Sequence, residues 1–144
     1  MDLKALKDKA DECLKKSWGI LSVDGKVAPT LYIFHVDGSI SPFELENTTE
    51  EEKQHAAELM KHLTTKEDVE GLFMVFDTFL APNKADLPKD LSTYPESMEC
   101  LLGLLYTPKY KFMRKVYHGG AFMDMGWEEL RETSGTFGNP YSNT

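Results

Sequence analysis

The chain has 144 residues, of which 41% are hydrophobic and 28% charged, and its formal net charge is −8. This length suits one domain with one sizeable core, and this composition excludes wholesale disorder. The acidity excludes a global attraction for nucleic-acid backbones or anionic membranes, so neither is expected as a partner.

Leu3, Leu6, Ala10, Cys13, Leu14, Trp18 and Leu21 recur at spacings of three and four. They predict an amphipathic helix of about five turns with one apolar stripe, frayed near Gly19. The stripe suits packing on the chain's own sheet, and a helix at a terminus also suits packing against a second copy. The start of the chain carries no apolar signal segment, and no apolar run approaches the roughly 18 residues that span a bilayer. Cys13 and Cys100 are too far apart in sequence for a zinc motif and read as reduced, buried thiols. The expected location is therefore cytoplasmic.

Two Asp-Gly pairs follow, Asp24-Gly25 and Asp37-Gly38. The second lies between Leu31–Val36 and Ser39–Leu45, which predicts a hairpin. Pro42 removes a ladder donor and places the second of these strands at a sheet edge. The first pair leads only into a connector, Lys26–Thr30. A second helix begins at Thr48 or Thr49, where each threonine stands three residues before a glutamate in the capping-box spelling. Ala56, Met60 and Leu63 give it a thin apolar stripe, and it ends near Thr64-Thr65.

Gly71–Leu80 and Met98–Tyr106 are apolar at both odd and even positions. Strands wet on one side alternate, so these two are expected to be covered on both faces. The loop between them, 81–95, is long for a small domain and is stiffened by Pro82, Pro88 and Pro95. It reads as an ordered excursion, and in a ligand-binding protein it would serve as a lid. Lys109–Tyr117 alternates lysines with apolar residues, which predicts one wet face and one packed face. That parity separates the lysines from the inner aromatics and argues against a nucleic-acid strip. Gly119-Gly120 turns the chain, Ala121–Met125 is a last short strand, and 133–144 is a loose tail after a domain at 1–132.

The order α-β-β-α-β-β-β predicts an α+β domain with a mainly antiparallel sheet of about five strands and two principal helices. By topological analogy alone, this order is compatible with profilin-like or roadblock-like architectures. There is no Walker loop, dinucleotide fingerprint, nucleophile elbow, H-E-x-x-H or C-x-x-C, and no cofactor is expected. His55 and His62 stand about 10 Å apart along the second helix, too far to share a metal. Glu51-Glu52-Lys53 has the spelling of a phosphodiesterase acid-x-lysine, but helix capping accounts for it better.

Two constellations remain. His35 and Asp37 share a strand face and, with His118, would make a His-Asp-His set suited to zinc or iron. Asp77 interrupts an apolar strand, and Glu99 opens the next. If these strands pair antiparallel, the two carboxylates share a face and suit metal binding or acid/base work. The plain alternatives for Asp77 are an edge position or a partner such as Arg114.

The leading expectation is a protein-interaction or assembly module without catalytic activity, pairing with itself as a homodimer or with another protein. Its motive is a sheet apolar on both faces with only two helices to cover it, and Trp18, Phe73, Val75 and Phe79 are its expected contact residues. The alternatives are a small metal-dependent hydrolase built on the clustered Asp, Glu and His, and a small-ligand-binding domain.

Overall fold

Two helices and six strands are found in the computed structural model, which describes residues 2–45, 49–80, 98–118 and 122–130, with the backbone alone at Leu80 and Met98. They are α1 (Leu3–Asp24), β1 (Thr30–His35), β2 (Ile40–Glu44), α2 (Glu50–Leu63), β3 (Val69–Leu80), β4 (Met98–Tyr106), β5 (Lys111–Tyr117) and β6 (Met123–Glu129). The strands form one sheet in the order β2-β1-β3-β4-β5-β6, and every neighbouring pair is antiparallel. The α+β class and the antiparallel sheet agree with the sequence reading. The 81–95 loop, the Gly119-Gly120 turn and the 133–144 tail lie outside the described residues. Among the described residues no helix is long and apolar enough to cross a membrane.

Local chemistry sets the element ends. Asp2 caps α1 by accepting from the Ala5 amide at 2.8 Å. The helix continues through Gly19 and stops at Gly25, whose φ of 75° suits glycine and whose amide donates to Leu21 O at 2.8 Å. Asp24-Gly25 is thus a helix C-cap rather than a hairpin turn. The capping box of α2 is complete at Thr49 and Glu52. β2, with Pro42, is an edge strand as expected. The sixth strand is longer than its apolar letters suggested. A register shift between Arg114 and Val116 and a positive φ at Gly126 break the alternation that would have marked it.

The two helices lie on opposite faces of the sheet. The α1 stripe packs with Tyr32, Phe34, Phe73, Val75, Leu101, Leu105, Phe112 and Val116. On the other face, Ala56 and Met60 of α2 join Leu31, Leu72, Met74, Leu102, Leu104 and Tyr106. Consecutive β3 residues Leu72, Phe73, Met74 and Val75 are all 0% exposed in the single chain. Double-sided covering therefore holds for β3 from Gly71 to Val75 and for β4 from Cys100 to Tyr106 but fails at the end of β3, where Phe79 is 69% exposed, and among these described central residues the bare face inferred from a shortage of helices is not found. Phe73 and Val75 lie under α1 and are not contact surface. The wet lysine face of β5 also needs correction. Lys111 is buried, with its ammonium 5.5 Å from the Tyr106 ring centroid, because β5 is an inner strand and the lysine stem packs as hydrocarbon.

Phe73 occupies the middle of the α1 face, with ring centroids of Trp127, Tyr32 and Phe34 at 6.0, 6.3 and 6.4 Å. Its ring fills the place of a missing side chain on β4. A Cβ on Gly103 would stand 2.7 Å from Phe73 Cζ and 2.9 Å from Cε1. Gly103→Ala is therefore expected to destabilise the protein by about 1–3 kcal/mol, because a closely packed core resists added volume. A lowered urea midpoint at constant m-value would record this. An unchanged midpoint would mean that the Phe73 ring moves aside freely.

Candidate functional site

α1 and β3 run side by side in the same direction. Leu6 lies by Gly71, Leu14 by Gly103 and Trp18 against His118. From Leu6 to Trp18 the helix rises about 18 Å, close to the roughly 20 Å of strand between Gly71 and Asp77. The apolar run of β3 thus gives way to Asp77 at the level of Trp18, where the helix cover thins.

At that level three adjacent strands each supply one polar side chain to the α1 face. In the β3–β4 register Asp77 faces Leu101 and Phe79 faces Glu99, so Asp77 and Glu99 are diagonal neighbours on one face. Immediately after β5, the His118 amide donates to Glu99 O at 3.0 Å, which sets His118 opposite Glu99. The His118 ring reaches across β4, placing Nε2 2.8 Å from Asp77 Oδ1 and Nδ1 4.0 Å from Glu99 Oε2. One donor atom from each of Asp77, Glu99 and His118 lies within 4.8 Å of the others. Among the described residues this is the only such group of three or more His, Cys, Asp or Glu side chains. The side chains of His118 and Asp77 are largely buried, whereas that of Glu99 is about a third exposed.

The carboxyl of Glu99 is held above its ordinary range, first by its hydrogen bond with Asp77, then by burial and by the Asp77 charge, against a weaker opposing pull from His118. Two carboxylates this close favour a shared proton or a cation. No thiol competes for the chemistry. Burial pushes Cys13 and Cys100 each up to about 11, so neither is a thiolate at neutral pH.

A cleft of about 350 Å³ opens beside the cluster between α1 and β4–β6, with Leu101, Val116, Trp18 and Phe122 among its lining residues. Trp18 meets His118 edge-on at 5.4 Å and Phe122 edge-on at 5.4 Å. Arg114 closes the inner wall. It is paired with Asp11 and binds Asp124 through Nε at 3.1 Å and a second nitrogen at 2.5 Å. The Trp127 indole donates to Asp11 at 3.1 Å. The hydrogen bond from Arg114 pulls the Asp124 carboxyl below its ordinary range.

The expected residues are therefore divided. Asp77, Glu99 and His118 come together. His35 and Asp37 do not join His118, because His35 pairs with Val69, roughly 26 Å along β3 from Asp77. His35 instead bonds Ser41 Oγ at 2.8 Å, and Asp37 accepts from the Ser39 amide at 2.8 Å and hydroxyl at 2.6 Å within the hairpin turn. Arg114 serves Asp11 and Asp124, not Asp77. Trp18 is a half-buried wall of the site, and Phe79 is 69% exposed opposite Glu99. Asp11, Phe122 and Asp124 were missed. A signal existed for Asp11, which sits in the row Lys7, Asp11, Lys15 at the margin of the α1 stripe. Compared with known protein families, with characterised proteins and with solved structures, the chain matches none.

Glu99 gives this site a pH signature. Its folded pKa is raised, so its contribution to stability is full below the unfolded value and is lost as pH rises through the folded one. At neutral pH the ionised Glu99 opposes folding. Glu99→Gln is expected to raise the melting temperature by roughly 1–3 °C at pH 7 in chelator, with no gain near pH 4. Thermal melts at the two pH values check this, and a lower melting temperature at pH 7 would contradict the sign.

Proposed function

We propose that Asp77, Glu99 and His118 hold a divalent cation and that the protein is a small metal-dependent hydrolase. The convergence of three ligand atoms within 4.8 Å, two of them from carboxylates that repel each other, carries this reading. Two carboxylates and an imidazole suit zinc, manganese or iron. Three protein ligands would leave a position for water, and a zinc ion held there would lower the pKa of that water to about 7. The cytoplasmic setting expected from the sequence accords with free, buried thiols.

The test is a thermal shift. A cation at a hundredfold its Kd adds about 2.7 kcal/mol, which raises the melting temperature by several degrees. Zn²⁺, Mn²⁺ or Mg²⁺ added to chelator-treated protein is expected to produce such a rise, and Asp77→Asn or His118→Ala to abolish it. The rise should shrink as acid protonates Glu99. Protein without bound metal and without any cation-dependent shift would end this reading.

Assembly with a second copy or another protein is a second reading, favoured by the exposure of Phe79 beside the site. In light scattering at micromolar concentration it requires a dimer of this chain, or a complex with a partner, that Phe79→Ser dissociates.

A further inference from the structure

The cleft and the acid–histidine cluster lie on consecutive positions of one sheet face. Leu101 and Val116 line the cleft. Leu101 is the next same-face residue after Glu99 on β4, and Val116 the last one before His118 on β5, a step of about 7 Å along each strand. Trp18 belongs to both, since it lines the cleft and meets His118 edge-on. Phe122, also a lining residue, is 62% exposed and touches Trp18. A large aromatic side chain left this open beside a polar cluster presents an unused ring face.

Size and charge narrow the occupant. The cleft holds about 350 Å³. A dry cavity of about 150 Å³ already admits benzene. Among the described residues four charged side chains line it, Asp11, Asp124, Lys15 and Arg114, and they cancel. The guanidinium is taken by Asp11 and Asp124, and Lys15 lies 3.6 Å from Glu12. Among the described residues of this wall the one buried cation is engaged by two carboxylates and Lys15 is solvated, while Leu101, Val116, Trp18 and Phe122 offer apolar and aromatic surface.

Resting on the cation site proposed above, we infer that the cleft receives a neutral aromatic ring of a small molecule whose metal-seeking polar end lies at Asp77, Glu99 and His118. The substrate class is then a compact aryl compound with a hydrolysable carbonyl group about one same-face strand step, roughly 7 Å, from the ring.

The experiment compares two probes on the full chain loaded with Zn²⁺: acetohydroxamate, which carries only the metal-binding end, and 4-phenylbutanohydroxamate, which adds a ring on a stem long enough to span that step. Titration calorimetry is expected to show 4-phenylbutanohydroxamate binding about tenfold more tightly, as befits a buried ring against aromatic neighbours. Trp18→Ala and Phe122→Ser should erase that advantage, and Phe122→Ser, which does not touch His118, should leave acetohydroxamate affinity unchanged. Phe122 is exposed enough that its replacement leaves folding intact, so the comparison stands even if the Trp18 variant fails to fold. Equal affinities for the two probes, or an advantage that survives Phe122→Ser, would overturn the ring pocket while leaving the cation site in place. Absence of binding by both probes together with absence of a Zn²⁺ thermal shift would remove the cation site and this inference with it.

Discussion

The seating of the Phe73 ring over Gly103 ties β3 to β4 at one register, and the rest of the molecule follows from that register. The pairing runs from Leu72 opposite Tyr106 to Leu80 opposite Met98. A slip of one residue would send every odd side chain of β3 to the α2 face and strand Phe73 against a filled position. The lock matters because both strands are apolar on both sides, so hydrophobic pattern alone discriminates poorly between registers. A ring over a missing Cβ supplies the shape that the pattern lacks. The same register carries Asp77 and Glu99 to one face, so the candidate site is a consequence of the core rather than an addition to it.

Topology explains how two helices cover a sheet that is apolar on both faces. β2 and β3 both lie antiparallel to β1, hence parallel to each other, and α2 connects them. A connection between parallel strands must cross over one face, which fixes α2 there. α1 precedes the first strand and is free to take the other face. Its Asp2 cap and Gly25 stop set a length that reaches from Gly71 to the level of Asp77. The inference of a surplus face failed because it counted helices without asking which face each connection dictates.

Legibility of the fold and of the site divides along the same physical line. Local signals were readable: the Thr49–Glu52 box, the α1 stripe, the Asp37-Gly38 hairpin and the edge proline all act within a few residues. Asp77 stood out because a carboxylate in an apolar run needs a compensating partner, and its alignment with Glu99 followed from antiparallel parity. That His118 and not Arg114 answers Asp77 was not readable, since it depends on β5 ending beside Glu99. The His35–Asp37–His118 set failed for a related reason. Parity assigns a residue to a face but says nothing of its height along the sheet, and His35 sits at the opposite end. The cleft wall was the least legible part, because Asp11, Arg114 and Asp124 come from three elements and meet only after α1 docks and β5 shifts register against β6.

Two pairs of carboxylates on the α1 side make opposite electrostatic arrangements. Asp11 and Asp124 are bridged by the guanidinium of Arg114, which holds Asp124 in its ionised form. Among the described residues Asp77 and Glu99 have only the His118 imidazole as a basic neighbour, and the Glu99 carboxyl is held above its ordinary range. A guanidinium is charged at every accessible pH, whereas an imidazole is charged only when protonated. The first pair therefore carries its own permanent counter-charge, and the structural role it serves, joining α1 to β5 and β6, needs nothing more. The second pair shows no such cation among the described residues, opens to solvent through Glu99 and is arranged around an imidazole nitrogen that can itself act as a ligand. On the reading proposed above, a divalent cation would supply that missing counter-charge, and the repulsion that raises the Glu99 carboxyl would become affinity.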